Sequence, residues 1–135
     1  MESIMKYLSL LFLLVASASA PTSAQTQDPI RLQCDGKYHN YAMNPPVHDV
    51  EVRGIYVEIY SKDVRVLNAP AFEATYLITR RDEASIFFQF PENKRYIGVI
   101  NRLSGALNLT VFSDLSNTKM EQSLSATCRR AQPLF

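Results

Sequence analysis

The 135-residue chain has no tryptophan, only four glycines, only two cysteines and almost no surplus of charge of either sign. A formal net charge of +1 excludes a strongly basic nucleic-acid binder as the default class, so no nucleic-acid partner is expected. Four glycines could not easily build a phosphate-binding glycine loop, and no such motif occurs. The absence of tryptophan weakens a carbohydrate-binding interpretation, because sugar-stacking sites often favour large aromatic faces.

The chain begins with the pattern of a secretory signal peptide. Lys6 precedes an apolar run at residues 7–15, and small residues follow at 16–20. The apolar run is too short to span a bilayer, which needs about 20 residues. A buried N-terminal helix is the alternative, but no capping or amphipathic pattern favours it.

This pattern sets the expected domain organisation and location. We predict that residues 1–24 are a signal peptide, cleaved after Ala24 because Pro21 disfavours cleavage one residue before it. Residues 25–135 are then a single β domain, as the length suggests. The mature protein is expected to be periplasmic or secreted and to have no integral membrane span.

Short runs in which apolar and polar residues alternate recur along the predicted mature chain, without a convincing helical period. Such runs, separated by polar turns, are typical of half-buried antiparallel strands. They predict an all-β fold, a small antiparallel β-barrel or sandwich of about eight strands. The runs are residues 30–34, 50–59, 64–66, 72–78 and 86–90, the two halves of 95–112, and 122–128.

Two glycines have predicted backbone roles. Residues 95–112 read as a β-hairpin whose turn, Asn101 to Gly105, needs a glycine at positive φ, and Gly105 is the candidate. The alternation changes phase at Gly54, in the middle of another run. A β-bulge at Gly54 would return both halves of that run to the same face.

The two cysteines, Cys34 and Cys128, lie in the first and the last predicted strand. In an exported chain such a pair indicates one disulfide. Each cysteine lies on the same face of its predicted strand as apolar neighbours, so the bond is expected in or near the core. A metal-binding or nucleophilic thiol pair is the alternative, but there is no C-x-x-C spacing.

The only histidines, His39 and His48, lie with Asp35 and Asp49 near a predicted loop at residues 38–49. Their spacing matches no recognised metal-ligand set, and no Ser stands in a G-x-S-x-G context. We therefore assign no catalytic residue, no metal and no cofactor. A hydrolase-like enzyme using His48 and Asp49 stays open as an alternative.

Tyr38 and Tyr41, in the same predicted loop, either form an aromatic binding rim or cap one end of the barrel. The hairpin turn is the other candidate binding segment. The candidate binding residues are Tyr38, His39, Tyr41, His48, Arg102 and Ser104.

Three short motifs span the mature chain: Cys34-Asp-Gly, Ile-Asn-Arg-Leu-Ser-Gly at residues 100–105, and an ending from Cys128 to Phe135. With them the chain resembles small exported proteobacterial proteins that have a Cys-x-Gly start, an Ile-(Asp/Asn)-Arg-x-(Thr/Ser)-Gly hairpin and a Cys near a terminal Phe. The resemblance implies an exported all-β domain with a terminal disulfide, but no function. The leading hypothesis is therefore a non-enzymatic exported binding or structural module of the cell envelope, with an unknown protein or small ligand as partner.

The hairpin turn also resembles the Ser-Gly-x-x-Tyr loop of periplasmic inhibitors of C-type lysozyme, which are small β-barrels. Here Ser104-Gly105 is followed by Asn108 where those inhibitors have Tyr, and the Lys-bearing companion motif is missing. This resemblance implies, as an alternative, an inhibitor-like protein acting through the Asn101–Gly105 loop.

Overall fold

The computed structural model describes residues 28–114 and 119–132, and the predicted signal peptide lies outside them. The regular secondary structure of the described residues is entirely β-strand, in agreement with the predicted fold class. The strands are β1 (Ile30–Asn40), β2 (Val47–Ile59), β3 (Asp63–Leu67), β4 (Ala74–Arg81), β5 (Ser85–Gln89), β6 (Tyr96–Asn101), β7 (Ala106–Phe112) and β8 (Met120–Arg130).

The eight strands form a closed barrel rather than a sandwich. Each strand pairs antiparallel with the next in sequence, and β8 returns to pair with β1. This seam contains nine residue pairs, from Leu32 opposite Arg130 to Asn40 opposite Gln122. Closure gives β1 and β8 a partner on each side, so neither terminal strand is an edge strand.

The barrel interior has two chemically different halves. One half lies at the connections β1–β2, β3–β4 and β5–β6, and we call it the aromatic end. Its rings meet edge to face, with centroids 5.2–6.5 Å apart. The other half, at the turns β2–β3, β4–β5 and β6–β7, is the aliphatic end. The aromatic end contains Tyr38, Phe72, Tyr76, Phe88, Phe90 and Tyr96, and the aliphatic end contains Ile30, Leu32, Ile59, Ile78, Ile86 and Ile100.

The connection between β3 and β4, residues 68–73, covers the aromatic end, and part of it is predicted from the sequence to be strand. The alternation places Phe72 in a strand with Ala74, but β4 begins only at Ala74. Asn68 and Ala71 have positive φ angles of 59° and 65°, outside the extended backbone region that regular strands occupy. Phe72 is 1% exposed and fills the barrel mouth, so its burial comes from the connection and not from a strand face.

The predicted loop at residues 38–49 is wrong in extent. The strand β1 continues to Asn40 and β2 begins at Val47, so that only residues 41–46 connect them. The cause is a distant partner, because the last four residues of β1 pair with residues 122–125 of β8. Cross-strand pairing can therefore extend a strand where the local apolar pattern has ended.

The predicted bulge at Gly54 is confirmed. Arg53 and Gly54 together face Asp35 on β1, and Gly54 has a φ of 71°. The Gly54 N–H donates to Asp35 Oδ1 at 2.9 Å, and Arg129 Nη1 lies 3.4 Å from Asp35 Oδ2. The Gly54 hydrogen bond, followed by the Arg129 guanidinium, lowers the pKa of Asp35 below its usual value.

The lowered pKa of Asp35 predicts an acid dependence of stability. A carboxyl whose folded pKa is depressed stabilises the fold above its unfolded pKa, and that contribution is lost as pH falls through the folded pKa. Asp35→Asn should therefore flatten part of the acid-side decline in the free energy of unfolding, measured by urea titration at a series of pH values. Glu83→Gln, at an exposed carboxylate, is the control, and an unchanged decline in Asp35→Asn would refute the role of Asp35.

The disulfide joins Cys34 and Cys128 directly across the β1–β8 seam, as predicted from the sequence. The two Cα atoms are 4.0 Å apart. The strands also approach closely at Gly36, where an added Cβ would lie 2.5 Å from the Cα of Ala126 and would overlap the carbonyl oxygen of Ser125. A glycine is required there because the strand backbones leave no room for a side chain.

Candidate functional site

A hollow of about 370 Å³ opens at the aliphatic end of the barrel. Its floor is formed by core residues of the aliphatic end: Ile59, Ile86 and Ile100, each 6% exposed or less. Cys128, one half of the disulfide, forms part of its side. The full lining is Ile30, Leu32, Ile59, Ile86, Ile100, Asn101, Arg102, Leu103, Ser104, Gly105, Cys128, Arg129 and Arg130.

The hairpin turn between β6 and β7 forms one wall of the hollow and is held by its own polar groups. Asn101 Oδ1 accepts the N–H groups of Leu103 at 2.9 Å and Ser104 at 3.0 Å. The Asn101 carbonyl accepts the Gly105 N–H at 2.9 Å, and Ser104 Oγ accepts the Ala106 N–H at 3.2 Å. These hydrogen bonds are those of an Asx turn. The φ angle of Gly105 is 78°, so the predicted positive φ is confirmed.

The same turn is fastened to its two neighbours. Arg102 donates its N–H to the Ala84 carbonyl at 2.7 Å and its guanidinium to the Asp82 carbonyl at 3.1 Å. On the other side the Gly105 carbonyl accepts the Cys128 N–H at 2.8 Å. An added Cβ on Gly105 would lie 2.5 Å from the Cys128 carbonyl oxygen. The disulfide-bearing strand and the β4–β5 turn therefore hold this loop in place.

The tip of this fastened loop is an apolar side chain in solvent. Leu103 is 83% exposed, more than any other large hydrophobic residue in the described part of the chain. Single exposed leucines are ordinary, but Leu103 and the 39%-exposed Ile30 both border the apolar hollow. We did not single out Leu103 from the sequence, although an apolar residue between Arg102 and Ser104 in a predicted polar turn was the available signal.

Three arginines line the hollow, and among residues 28–114 and 119–132 no Asp or Glu belongs to its lining. Arg129 pairs with Asp35, and Arg102 donates to a neutral carbonyl and so keeps its full charge. Arg130 forms no ion pair within the described ranges 28–114 and 119–132. Arg129 and Arg130 were also absent from the candidates taken from the sequence, although the basic pair directly after Cys128 could have suggested them.

A second hollow of about 270 Å³ adjoins the first and shares Ile30 and Ile59 with it. Its lining is mixed in charge, with Asp28 and Arg81. The surplus of positive charge at this end of the barrel therefore belongs to the larger hollow.

The structure divides the six candidate binding residues between the two ends of the barrel. Arg102 and Ser104 lie in the loop beside the larger hollow, where their described contacts hold the loop. Tyr38 lies at the aromatic end, partly buried against the core, with its ring on Phe72 and its hydroxyl donating to Gln122. Tyr38 thus caps the aromatic end, the second of the two roles considered for the tyrosines.

The other three candidates form an aromatic cluster on the outer wall at the aromatic end. His39 stacks on Tyr41 with ring centroids 5.9 Å apart, and the His48 ring lies 5.8 Å from His39 and 5.4 Å from Tyr41. The Asp49 N–H donates to His39 Nδ1 at 3.2 Å. Among the described residues, no group of three or more His, Cys, Asp and Glu side chains is placed to hold a metal ion.

Residues 28–114 and 119–132 include no helix that is long and apolar enough to cross a membrane. The geometry of the aliphatic end is the main basis for assigning a function. Comparison of the chain with protein-family models found no match, and comparisons with curated proteins and with solved structures found none either.

Proposed function

We propose that this protein is a non-enzymatic exported binding module of the cell envelope, and that the aliphatic end of the barrel is its binding surface. The observation that carries the proposal is Leu103, 83% exposed at the tip of a fastened loop beside a hollow with an apolar floor. Large apolar side chains that enter a partner's pocket dominate the energy of many interfaces. A loop already held in one conformation loses little entropy on binding.

The two ends of the barrel differ in how well they could receive a partner. At the aromatic end, Phe72 and the connection at residues 68–73 cover the core. At the aliphatic end, the buried isoleucines form the floor of an open hollow. Binding sites are typically concave and combine an apolar surface with polar groups that orient the ligand. The hollow at the aliphatic end is concave, with an isoleucine floor and a polar rim.

Export is supported by two features of the chain. The order of residues 1–24 is that of a signal peptide, and the Cys34–Cys128 disulfide suits an oxidising compartment. A role in the periplasm or at the cell surface is consistent with both.

The hydrolase-like alternative has less support. It requires a cleft that brings His48 to a carboxylate or hydroxyl partner, whereas His48 and Asp49 are both exposed on the outer wall. The described contacts of the His48 ring are with the rings of His39 and Tyr41. This arrangement favours binding over hydrolysis.

Leu103→Asp tests the proposal by placing a charge at the loop tip without touching the core. Partners captured from an envelope extract by the immobilised wild-type protein should be retained at least about tenfold less by this variant, since a tenfold loss corresponds to about 1.4 kcal/mol. Leu77→Asp, at a 46%-exposed leucine on the outer wall, is the matched control and should retain them. Equal retention by Leu103→Asp and the wild type, with both chains folded, would exclude this loop as the binding element.

The inhibitor-like alternative uses the same loop, and the same variant tests it. If it holds, the wild-type protein should slow the hydrolysis of cell walls by a C-type lysozyme, and Leu103→Asp should not. Unchanged lysozyme activity with a molar excess of the wild-type protein would dismiss it.

A further inference from the structure

We infer that the larger hollow at the aliphatic end binds a small aliphatic monocarboxylate, with the apolar tail on the isoleucine floor and the carboxylate at Arg130. This inference rests on the proposed function, since it names the ligand class of the same binding surface. It is carried by the combination of an apolar floor, three arginines in the lining and the position of Arg130 in the barrel wall.

The lining selects an apolar tail. The floor consists of Ile59, Ile86 and Ile100, and the exposed side chains of Ile30 and Leu103 extend the apolar surface outward. The volume of about 370 Å³ lies within the range of roughly 300–1,000 Å³ that is usual for small-molecule sites. A small inorganic anion could bind at the rim but would leave this apolar surface in water.

The rim selects a negative head group. Three arginines line the hollow, and the part of the chain that the structure describes adds no Asp or Glu to this lining, so a cationic ligand would be repelled. A guanidinium presents parallel N–H groups that match the two oxygens of a single carboxylate. Arg129 is already paired with Asp35, and the Arg102 guanidinium already donates to the Asp82 carbonyl. A head group with many charged oxygens would therefore leave more of them without a donor than a single carboxylate would.

Arg130 is the residue best placed to hold the carboxylate. It lies two residues after Cys128 and opposite Leu32 in the β1–β8 seam, so it shares the inward phase of both. Arg130 is exposed and belongs to the lining of the hollow. Arg129, with the opposite phase, is already paired with Asp35.

Isothermal titration of the purified protein with hexanoate, octanoate and decanoate tests the tail. Affinity should rise about fourfold for each added methylene until the hollow is filled, as expected for apolar surface removed from water. Decanol and decyltrimethylammonium test the head group. Decanoate should bind at least about tenfold more tightly than decanol, and decyltrimethylammonium should bind most weakly.

Arg130→Gln should weaken decanoate at least about tenfold and leave the affinity for decanol unchanged, because only the carboxylate needs the guanidinium. A purely structural effect would weaken both ligands equally and would overturn the role of Arg130. Arg53→Gln, at an 80%-exposed arginine on the outer wall, is the control and should leave both affinities unchanged.

Each of four results would overturn the inference. Affinity independent of chain length would show binding of the anion at the rim alone, and equal affinity for decanoate and decanol would show an apolar site without anion selection. No binding of decanoate, while Leu103→Asp still abolishes partner capture, would exclude the ligand class but leave the proposed binding surface intact. No binding together with unaffected capture would reject both.

Discussion

Replacing both Cys34 and Cys128 with alanine should lower the free energy of unfolding by about 4–5 kcal/mol. The cysteines are 94 residues apart in sequence, so the bond restricts most of the described chain in the unfolded state. In the chain-entropy model the stabilisation grows with loop length, and strain reduces it. A typical domain has a net stability of only about 5–15 kcal/mol, so this loss is a large share.

The measurement is urea denaturation at neutral pH, comparing the wild type with and without reductant and the double variant. Reduced wild type and double variant should unfold at similar, much lower urea concentrations than the oxidised wild type. Thr127→Ala, at an exposed position beside Cys128, is the control and should change stability by no more than about 0.5 kcal/mol. A double variant that unfolds at the wild-type midpoint would show that β1–β8 pairing closes the barrel without help from the bond.

Phe72→Ala should lower the free energy of unfolding by about 3–5 kcal/mol, the usual cost of removing a buried phenylalanine. The ring is 1% exposed and contacts Tyr38 and Tyr96 edge to face, with centroids 6.5 and 6.3 Å away. The Phe72 carbonyl also accepts the hydroxyl of buried Tyr76 at 2.7 Å. Loss of the ring leaves a cavity where the connection now covers the aromatic end.

Thermal and urea unfolding should show this loss, with Leu77→Ala on the outer wall as the control. The position of Phe72 gives a second readout. Phe72 lies at the end of the barrel opposite the larger hollow, so folded Phe72→Ala protein should bind decanoate with wild-type affinity. A small stability change would mean that the connection at residues 68–73 covers the core without its central ring.

Local sequence pattern was sufficient for the strands and their special positions. Side chains alternate between the two sides of a strand, so in runs such as residues 106–112 the apolar positions identify the side that faces the core. The phase change at Gly54 required a bulge, and the turn before Ala106 required a positive φ at Gly105; the structure has both. Two cysteines on apolar faces of the terminal strands were enough to predict their bond.

Local pattern failed where a distant partner decides the outcome. The last residues of β1 are strand because β8 pairs with them, and Phe72 is buried because a connection with positive φ angles turns it into the barrel mouth. The candidate site shows the same limit. Of the six residues proposed from sequence, two lie beside the larger hollow, whereas Leu103 and Arg130 were missed because their importance depends on what closure brings next to them.

The sequence by itself determined an all-β chain, its bulge, its hairpin and its cross-link, because each depends on residue type and alternation along the chain. Only the tertiary structure decided that the sheet closes as a barrel, that one end is covered by Phe72, and that the other is an open hollow with an apolar floor and arginines in its lining. The physical reason is that closure joins strands far apart in sequence, and an alternating pattern specifies which side of a strand is apolar but not which strand it will face.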